Sequence, residues 1–129
     1  MIRVKDSSVL FSLLRVPYDE MLMSVLIWID DQYPGMIVIT CGYRPGDPKC
    51  HGTVPCRAVD LRSWVFKDPE LACNYINHVW EYDFKRPHMK VADVHPNRGA
   101  SGTHIHIQVH PNTRLRKEEK NGQNNHKPK

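Results

Sequence analysis

The chain is expected to fold as an α+β domain in which N-terminal helices pack on a small, mostly antiparallel sheet. Three observations predict this. Tyr18, Met21, Leu22, Val25, Leu26 and Ile29 recur at helical spacing between Pro17 and Pro34, as in an amphipathic helix with one buried stripe. Met36-Ile37-Val38-Ile39-Thr40 is a β-branched run too apolar to be exposed on both faces. Thr103-His104-Ile105-His106-Ile107-Gln108-Val109 alternates strictly, so a strand there sets both imidazoles on one face and Ile105, Ile107 and Val109 on the other.

At 129 residues the chain can build one compact domain with a real core but not two ordinary ones. That domain is expected over residues 1–113, followed by a charged, Asn- and Gln-rich tail over 114–129 expected to be disordered. Lys and Arg number 18 against 14 Asp and Glu, and part of the excess lies in the tail, so the body is only mildly basic and requires no nucleic-acid partner. The longest apolar run, Met21 to Ile29, is interrupted by Ser24 and falls well short of the roughly 20 residues a membrane span needs. Met1 to Asp6 is charged, and no small-residue cleavage site follows the apolar stretch Val9 to Leu14, so cytoplasmic synthesis without a signal peptide is expected.

Taken in order, Ser7 or Ser8 is expected to cap a short first helix, and Tyr18 to Gln32 forms the main one. Pro34-Gly35 turns the chain into the 36–40 strand, which delivers Cys41-Gly42-Tyr43-Arg44 at its end. Pro45 to Pro55 is rich in Pro, Gly, Asp and Lys and reads as a loop carrying His51; Arg57 to Leu61 resumes an extended pattern with Ala58 and Asp60 on one face. Asp68-Pro69 starts a second main helix, with Leu71, Tyr75, Ile76 and Val79 as its buried side up to about Tyr82. Met89 to Val94 alternates like a strand, Pro96 to Gly102 reads as a hairpin loop, and the His104 strand returns antiparallel. Trp28, Trp64 and Trp80 are expected as core aromatics, and Lys85-Arg86-Pro87-His88 as solvated surface.

Two convergent imidazoles suggest a metal, and His51 with Asp60 supplies a second imidazole-and-carboxylate cluster upstream. Zinc in a hydrolase takes about three protein ligands and an open position for water, whose pKa falls toward ~7 on binding; His51, Asp60 and one imidazole of the His104-Ile105-His106 pair meet that count. Cys41, Cys50, Cys56 and Cys73 are expected as free thiols, and the absence of a CxxC pair argues against a cysteine-zinc knuckle. His78 falls in a helix, whereas His88, His95 and His110 adjoin prolines and read as loop residues, His95 being the reserve ligand.

Thr40-Cys41-Gly42-Tyr43-Arg44, then His51, Ala58-Val59-Asp60-Leu61 and His104-Ile105-His106, in this order and at this overall size, resemble the D-alanyl-D-alanine metallopeptidases. Their relatives are the phage L-alanyl-D-glutamate endolysins, the murein endopeptidases and the hedgehog zinc domain. The resemblance implies one zinc ion per chain, bound by His51, Asp60 and His106. It also implies that Arg44 faces the substrate, where a guanidinium can hold a carboxylate or polarise the scissile carbonyl. Some relatives place a catalytic carboxylate a few residues before the last ligand; that neighbourhood here offers His104 and no Asp or Glu, so His104 is the candidate for proton transfer or transition-state stabilisation. The chain departs from the family in having Cys41 where serine is usual and eight residues between His51 and Asp60, a longer loop than the family's.

The activity so implied is hydrolysis of peptide bonds in peptidoglycan stem peptides, by an endolysin-like endopeptidase or a DD-carboxypeptidase or dipeptidase acting as a monomer. A lytic role requires release to the cell wall by a separate, phage-type route. A non-catalytic zinc-binding recognition module is the alternative. A His-hydrophobic-His nuclease is a third reading, but no tyrosine follows His106, which leaves only an order with Tyr18 as nucleophile.

Overall fold

The computed structural model describes residues 1–96 and 103–117. It has an α+β architecture with the element order β1 (Arg3–Val4), α1 (Ser7–Arg15), α2 (Glu20–Gln32), β2 (Val38–Cys41), β3 (Ala58–Arg62), α3 (Pro69–Val79), β4 (Trp80–Glu81), β5 (Ala92–His95), β6 (His104–Gln108) and β7 (Arg114–Leu115). Strands β1, β2, β3, β6 and β5 form one sheet in that order, antiparallel except for the β1–β2 pair; β4 and β7 form a separate ribbon. The parallel strand β1 was not expected, because two residues are too few to show a period.

Helix boundaries follow the capping chemistry. The Asp19 carboxylate accepts from the Met21 N–H, so α2 starts two residues later than its apolar stripe, which extends back to Tyr18. Asp6, rather than Ser7 or Ser8, caps α1: its carboxylate accepts from the Val9 N–H and from the Ser8 hydroxyl, which drops both serines into the first turn. Asp68 caps α3 through the Leu71 N–H, with Pro69 in the first turn as expected. The helix stops at Val79, short of Tyr82, because Trp80 and Glu81 turn extended to pair with Leu115 and Arg114.

The register of β3 against β6 divides the sheet into two chemical faces. Val59 faces Ile107 and Leu61 faces Ile105 on one side; Asp60 faces His106 and Arg62 faces His104 on the other. The apolar side packs on Leu22, Val25 and Ile29 of α2 and on Ala72, Cys73 and Ile76 of α3, all buried. Removing each of the larger side chains, Leu22, Val25, Ile29 and Ile76, from water stabilises the fold by about 1.5–3 kcal/mol.

The buried side of α3 differs from the expected stripe, since Leu71 is exposed and the small Ala72 and Cys73 face inward. Close packing on β5 requires the small residues. The Asn77 side chain donates to the Ala92 carbonyl at 2.7 Å and accepts from the Ala92 N–H at 2.9 Å, engaging the strand as another strand would. Trp28 and Trp80 pack edge to face at 6.2 Å, whereas Trp64 is 74% exposed beneath the Arg62 guanidinium and does not enter the core.

Two further expectations shift. Strand β5 lies toward the C-terminus of the expected segment, which turns His95 from a loop residue into the last residue of a strand. Lys85 to His88 is exposed, as expected, and from that surface Arg86 reaches the buried Asp83 carboxylate at 2.9 Å. Arg114 and Leu115, placed in the tail by composition, form β7, and the Arg114 and Arg116 guanidiniums both reach Glu81. The loop residues 97–102 and the tail residues 118–129 lie outside the described residues.

Replacing Asn77 by Ala strips the buried Ala92 amide of both partners and is expected to lower unfolding free energy by about 1–3 kcal/mol in urea titrations. The exposed Ile27→Ala change should stay within about 0.5 kcal/mol of wild type. Equal midpoints for the two variants would disprove the strand-like role of Asn77.

Candidate metal centre

The polar face of the sheet carries the site. Asp60, on the central strand, is 5% exposed and accepts on a single oxygen, Oδ1, from two rings: His51 Nε2 lies at 3.1 Å and His106 Nδ1 at 3.0 Å. His104 Nε2 lies 3.6 Å from the other oxygen, Oδ2. Four of the residues singled out in the sequence, His51, Asp60, His104 and His106, are thus brought together around one carboxylate.

His51 reaches the sheet from a turn of 3-10 helix, Cys50–Gly52, in the long loop before β3. It is held there from both sides. Its Nδ1–H donates to the Gly42 carbonyl at 2.8 Å, while the Arg44 N–H donates to the carbonyl of His51 itself. The buried Cys56 thiol points at the carbonyls of His51 and Ala58. Gly42 is itself fixed, because an added Cβ would lie 2.5 Å from the Tyr18 hydroxyl, and that hydroxyl accepts from the Tyr43 N–H at 2.7 Å. The ring is therefore positioned from its base by these hydrogen bonds.

The second nitrogen of His106 has its own partner. Its Nε2 lies 3.1 Å from Gln108 Oε1, and the Gln108 amide is oriented by donation to the Lys90 carbonyl at 2.9 Å. Gly42 and Gln108 thus do for His51 and His106 what outer-shell acceptors do for metal-ligating imidazoles, fixing the ring and directing its other nitrogen at a common point.

The charge arrangement fits a cation. Burial pushes the Asp60 carboxyl up, but the hydrogen bonds from His106 and His51 and the charges of His51 and His104 outweigh it, holding the carboxyl well below its ordinary range. Each of the two rings faces an oxygen at both nitrogens. A divalent cation beside the Asp60 carboxylate would take the inward lone pair of each ring, His51 Nε2 and His106 Nδ1, together with a carboxylate oxygen. The residues present fit a metal ion.

Cys41 stands beside His51 and Asp60, a member of the site that sequence reading missed. Its Sγ, a ring nitrogen of His51 and a carboxylate oxygen of Asp60 lie within 4.8 Å of one another, and this trio can hold a metal ion. Burial raises the Cys41 thiol above its ordinary value, with the Arg44 charge opposing. All four cysteines are unpaired thiols; Cys50 lies against Gln108 and Tyr82, and Cys73 is in the core.

The remaining candidates take definite places. Arg44 is half exposed, with its Nε 3.4 Å from the Asp47 carboxylate, at the base of the His51 loop. His95 faces His104 in the β5–β6 register and stacks on His106 with ring centroids 4.9 Å apart and planes 9° apart. Its neighbour Pro96 hid this by suggesting a loop. Tyr18 is unsuited to a nucleophile's role: its hydroxyl is committed to the Ser12 carbonyl and the Tyr43 N–H, and burial pushes it up to about 12.

No family model, curated protein or solved structure matches the chain.

A carboxyl held below its ordinary value of 3.8 adds stability that is fully present above about pH 4 and is lost as the pH falls toward the folded value. In chelator-treated protein, the stability advantage of wild type over Asp60→Asn should accordingly shrink as denaturant titrations move from pH 5 toward pH 3, on the order of the window given by that linkage. A difference independent of pH would show that the imidazoles do not hold the carboxylate ionised.

Proposed function

We propose that the chain is a zinc-dependent hydrolase of peptide bonds in peptidoglycan stem peptides, with His51, Asp60 and His106 as its protein ligands. The observation that carries this reading is the convergence of His51 Nε2 and His106 Nδ1 on Asp60 Oδ1, each ring braced from behind by an oxygen acceptor. Two imidazoles and one carboxylate form a donor set of the catalytic zinc type, and the borderline-soft ion suits nitrogen and oxygen together. Zinc, when bound, supplies Lewis acidity and lowers the pKa of a bound water.

The protein's own groups supply the rest. His104, 21% exposed at its side chain and 3.6 Å from Asp60 Oδ2, is poised beside the ligands without sharing their oxygen. From there it serves as the group that takes up or delivers a proton at its ring nitrogen, or that steadies negative charge developing on the scissile carbonyl. Arg44 offers a half-exposed guanidinium whose interaction with Asp47 is at a long 3.4 Å, so it can turn to a substrate carboxylate. D-amino-acid stem peptides carry such carboxylates. The choice of peptidoglycan rests on the resemblance of the Thr40–Arg44, His51, Asp60 and His104–His106 motifs to the D-alanyl-D-alanine metallopeptidases.

One observation favours the second reading, a non-catalytic zinc-binding module. Cys41 lies beside His51 and Asp60 as a further donor, and with His106 it would make four ligands, a count that closes a zinc site in the manner of structural sites.

Metal analysis and digestion of purified peptidoglycan decide between them. Wild type should carry about one zinc per chain and release peptide fragments, and Asp60→Ala should lose both. His104→Ala should retain zinc while turnover falls by about 10²–10⁴-fold. Zinc bound without any cleavage by wild type would overturn the hydrolase in favour of the binding module; no zinc after reconstitution would overturn both.

A further inference from the structure

The pairing of β2 with β3 contains an irregularity whose consequence is chemical. Ile39 faces Leu61 and Cys41 faces Asp60, so β2 advances two residues while β3 advances one. The additional residue is Thr40, and its hydroxyl donates to the Asp60 carbonyl at 3.3 Å, fastening the bulge to the strand it faces. In a regular strand Cys41 would share the side of Ile39, which is 4% exposed in the core. The bulge reverses that phase and brings Cys41 onto the side of Asp60.

Cys41 Sγ therefore stands within 4.8 Å of the donor atoms of His51 and Asp60, in a chain whose other thiols belong to the core or to the wall of the His51 loop. A strand distortion pinned by a side-chain hydrogen bond, which places the softest ligand type beside two harder ones, is a device for binding a metal.

We propose that Cys41 is a thiolate ligand of the metal centre, joining His51, Asp60 and His106 to close it in its resting state. On binding, the thiol S–H bond breaks, its proton passes to solvent, and the sulfur lone pair is donated to the ion; no oxidant or reductant takes part. Activity at this centre then requires the substrate to displace the thiolate, so the resting protein is latent. The thiolate ligand rests on the metal-centre reading alone; the latency rests also on the hydrolase reading.

Cobalt(II) in place of zinc tests it, because a thiolate ligand gives an intense near-ultraviolet charge-transfer band that nitrogen and oxygen ligands do not. The full chain loaded with one equivalent of cobalt should show the band. Cys50→Ser, Cys56→Ser and Cys73→Ser should keep it, and Cys41→Ser should lose it, with zinc affinity reduced by at least the roughly 10–100-fold typical of losing an outer-shell partner.

Wild-type protein provides a control that needs no variant. Mass mapping after iodoacetamide should find Cys41 alkylated in chelator-treated protein and protected once zinc is restored. Cobalt bound without the band, or a band that survives in Cys41→Ser, would overturn the proposal. So would equal alkylation with and without zinc. Peptidoglycan cleavage without the band would leave the hydrolase standing and this inference refuted, whereas the band without cleavage would do the reverse.

Discussion

The register between β3 and β6 is the constraint on which the rest depends. It sets Asp60 opposite His106 while holding Val59 and Leu61 against Ile107 and Ile105. Because side chains alternate with a period of two, a one-residue slip of β6 would turn Ile105 and Ile107 to water and His106 into the helix-covered core. The same apolar burial that stabilises the domain therefore aligns its chemistry. A buried charge is tolerated at this point only because imidazoles surround it, which ties the integrity of the core to the occupancy of the polar face.

Around that carboxylate the protein uses separate elements for separate tasks. The central strand supplies the charge, its antiparallel neighbour supplies His104 and His106, and a short helical turn lowers His51 onto them. The acceptors that orient the rings come from elsewhere again, from the end of β2 at Gly42 and from Gln108 further along β6. Such a division allows the His51 loop to vary in length, since the ring is positioned by its hydrogen bonds and not by the loop's span. The histidine pair of β5 and β6 adds a flat stack on the outer side of His106, which limits rotation of that ring.

Much of this was legible in the chain because it follows from period and capping. The stripe of α2, the Asp68-Pro69 start of α3, the apolar β2 segment and the alternation of β6 each rest on local pattern, and local pattern was kept. Alternation also placed Asp60 and the two histidines on definite faces. What escaped was what depends on contacts remote in sequence. Leu71 turned outward because Asn77 draws the helix close to β5, and His95 became part of a strand because β5 pairs further along than its own pattern suggests. Cys41 escaped notice beside Asp60 because a bulge is an exception to alternation that leaves no mark in composition. Arg114 and Leu115 look like tail residues by charge, and only Trp80 and Glu81, lying opposite, give them a partner.

The contact at Gly42 gives the N-terminal helix a part in the chemistry it never touches. Tyr18 lies between α1 and the end of β2, its hydroxyl bonded to the Ser12 carbonyl on one side and to the Tyr43 amide on the other. Through it the carbonyl that steers His51 is anchored to the first helix. The shortest fragment able to assemble the centre therefore extends back through α1, although every donor atom lies beyond residue 40. Substitutions at Tyr18 would retune the centre from a distance, as a peg adjusts a string.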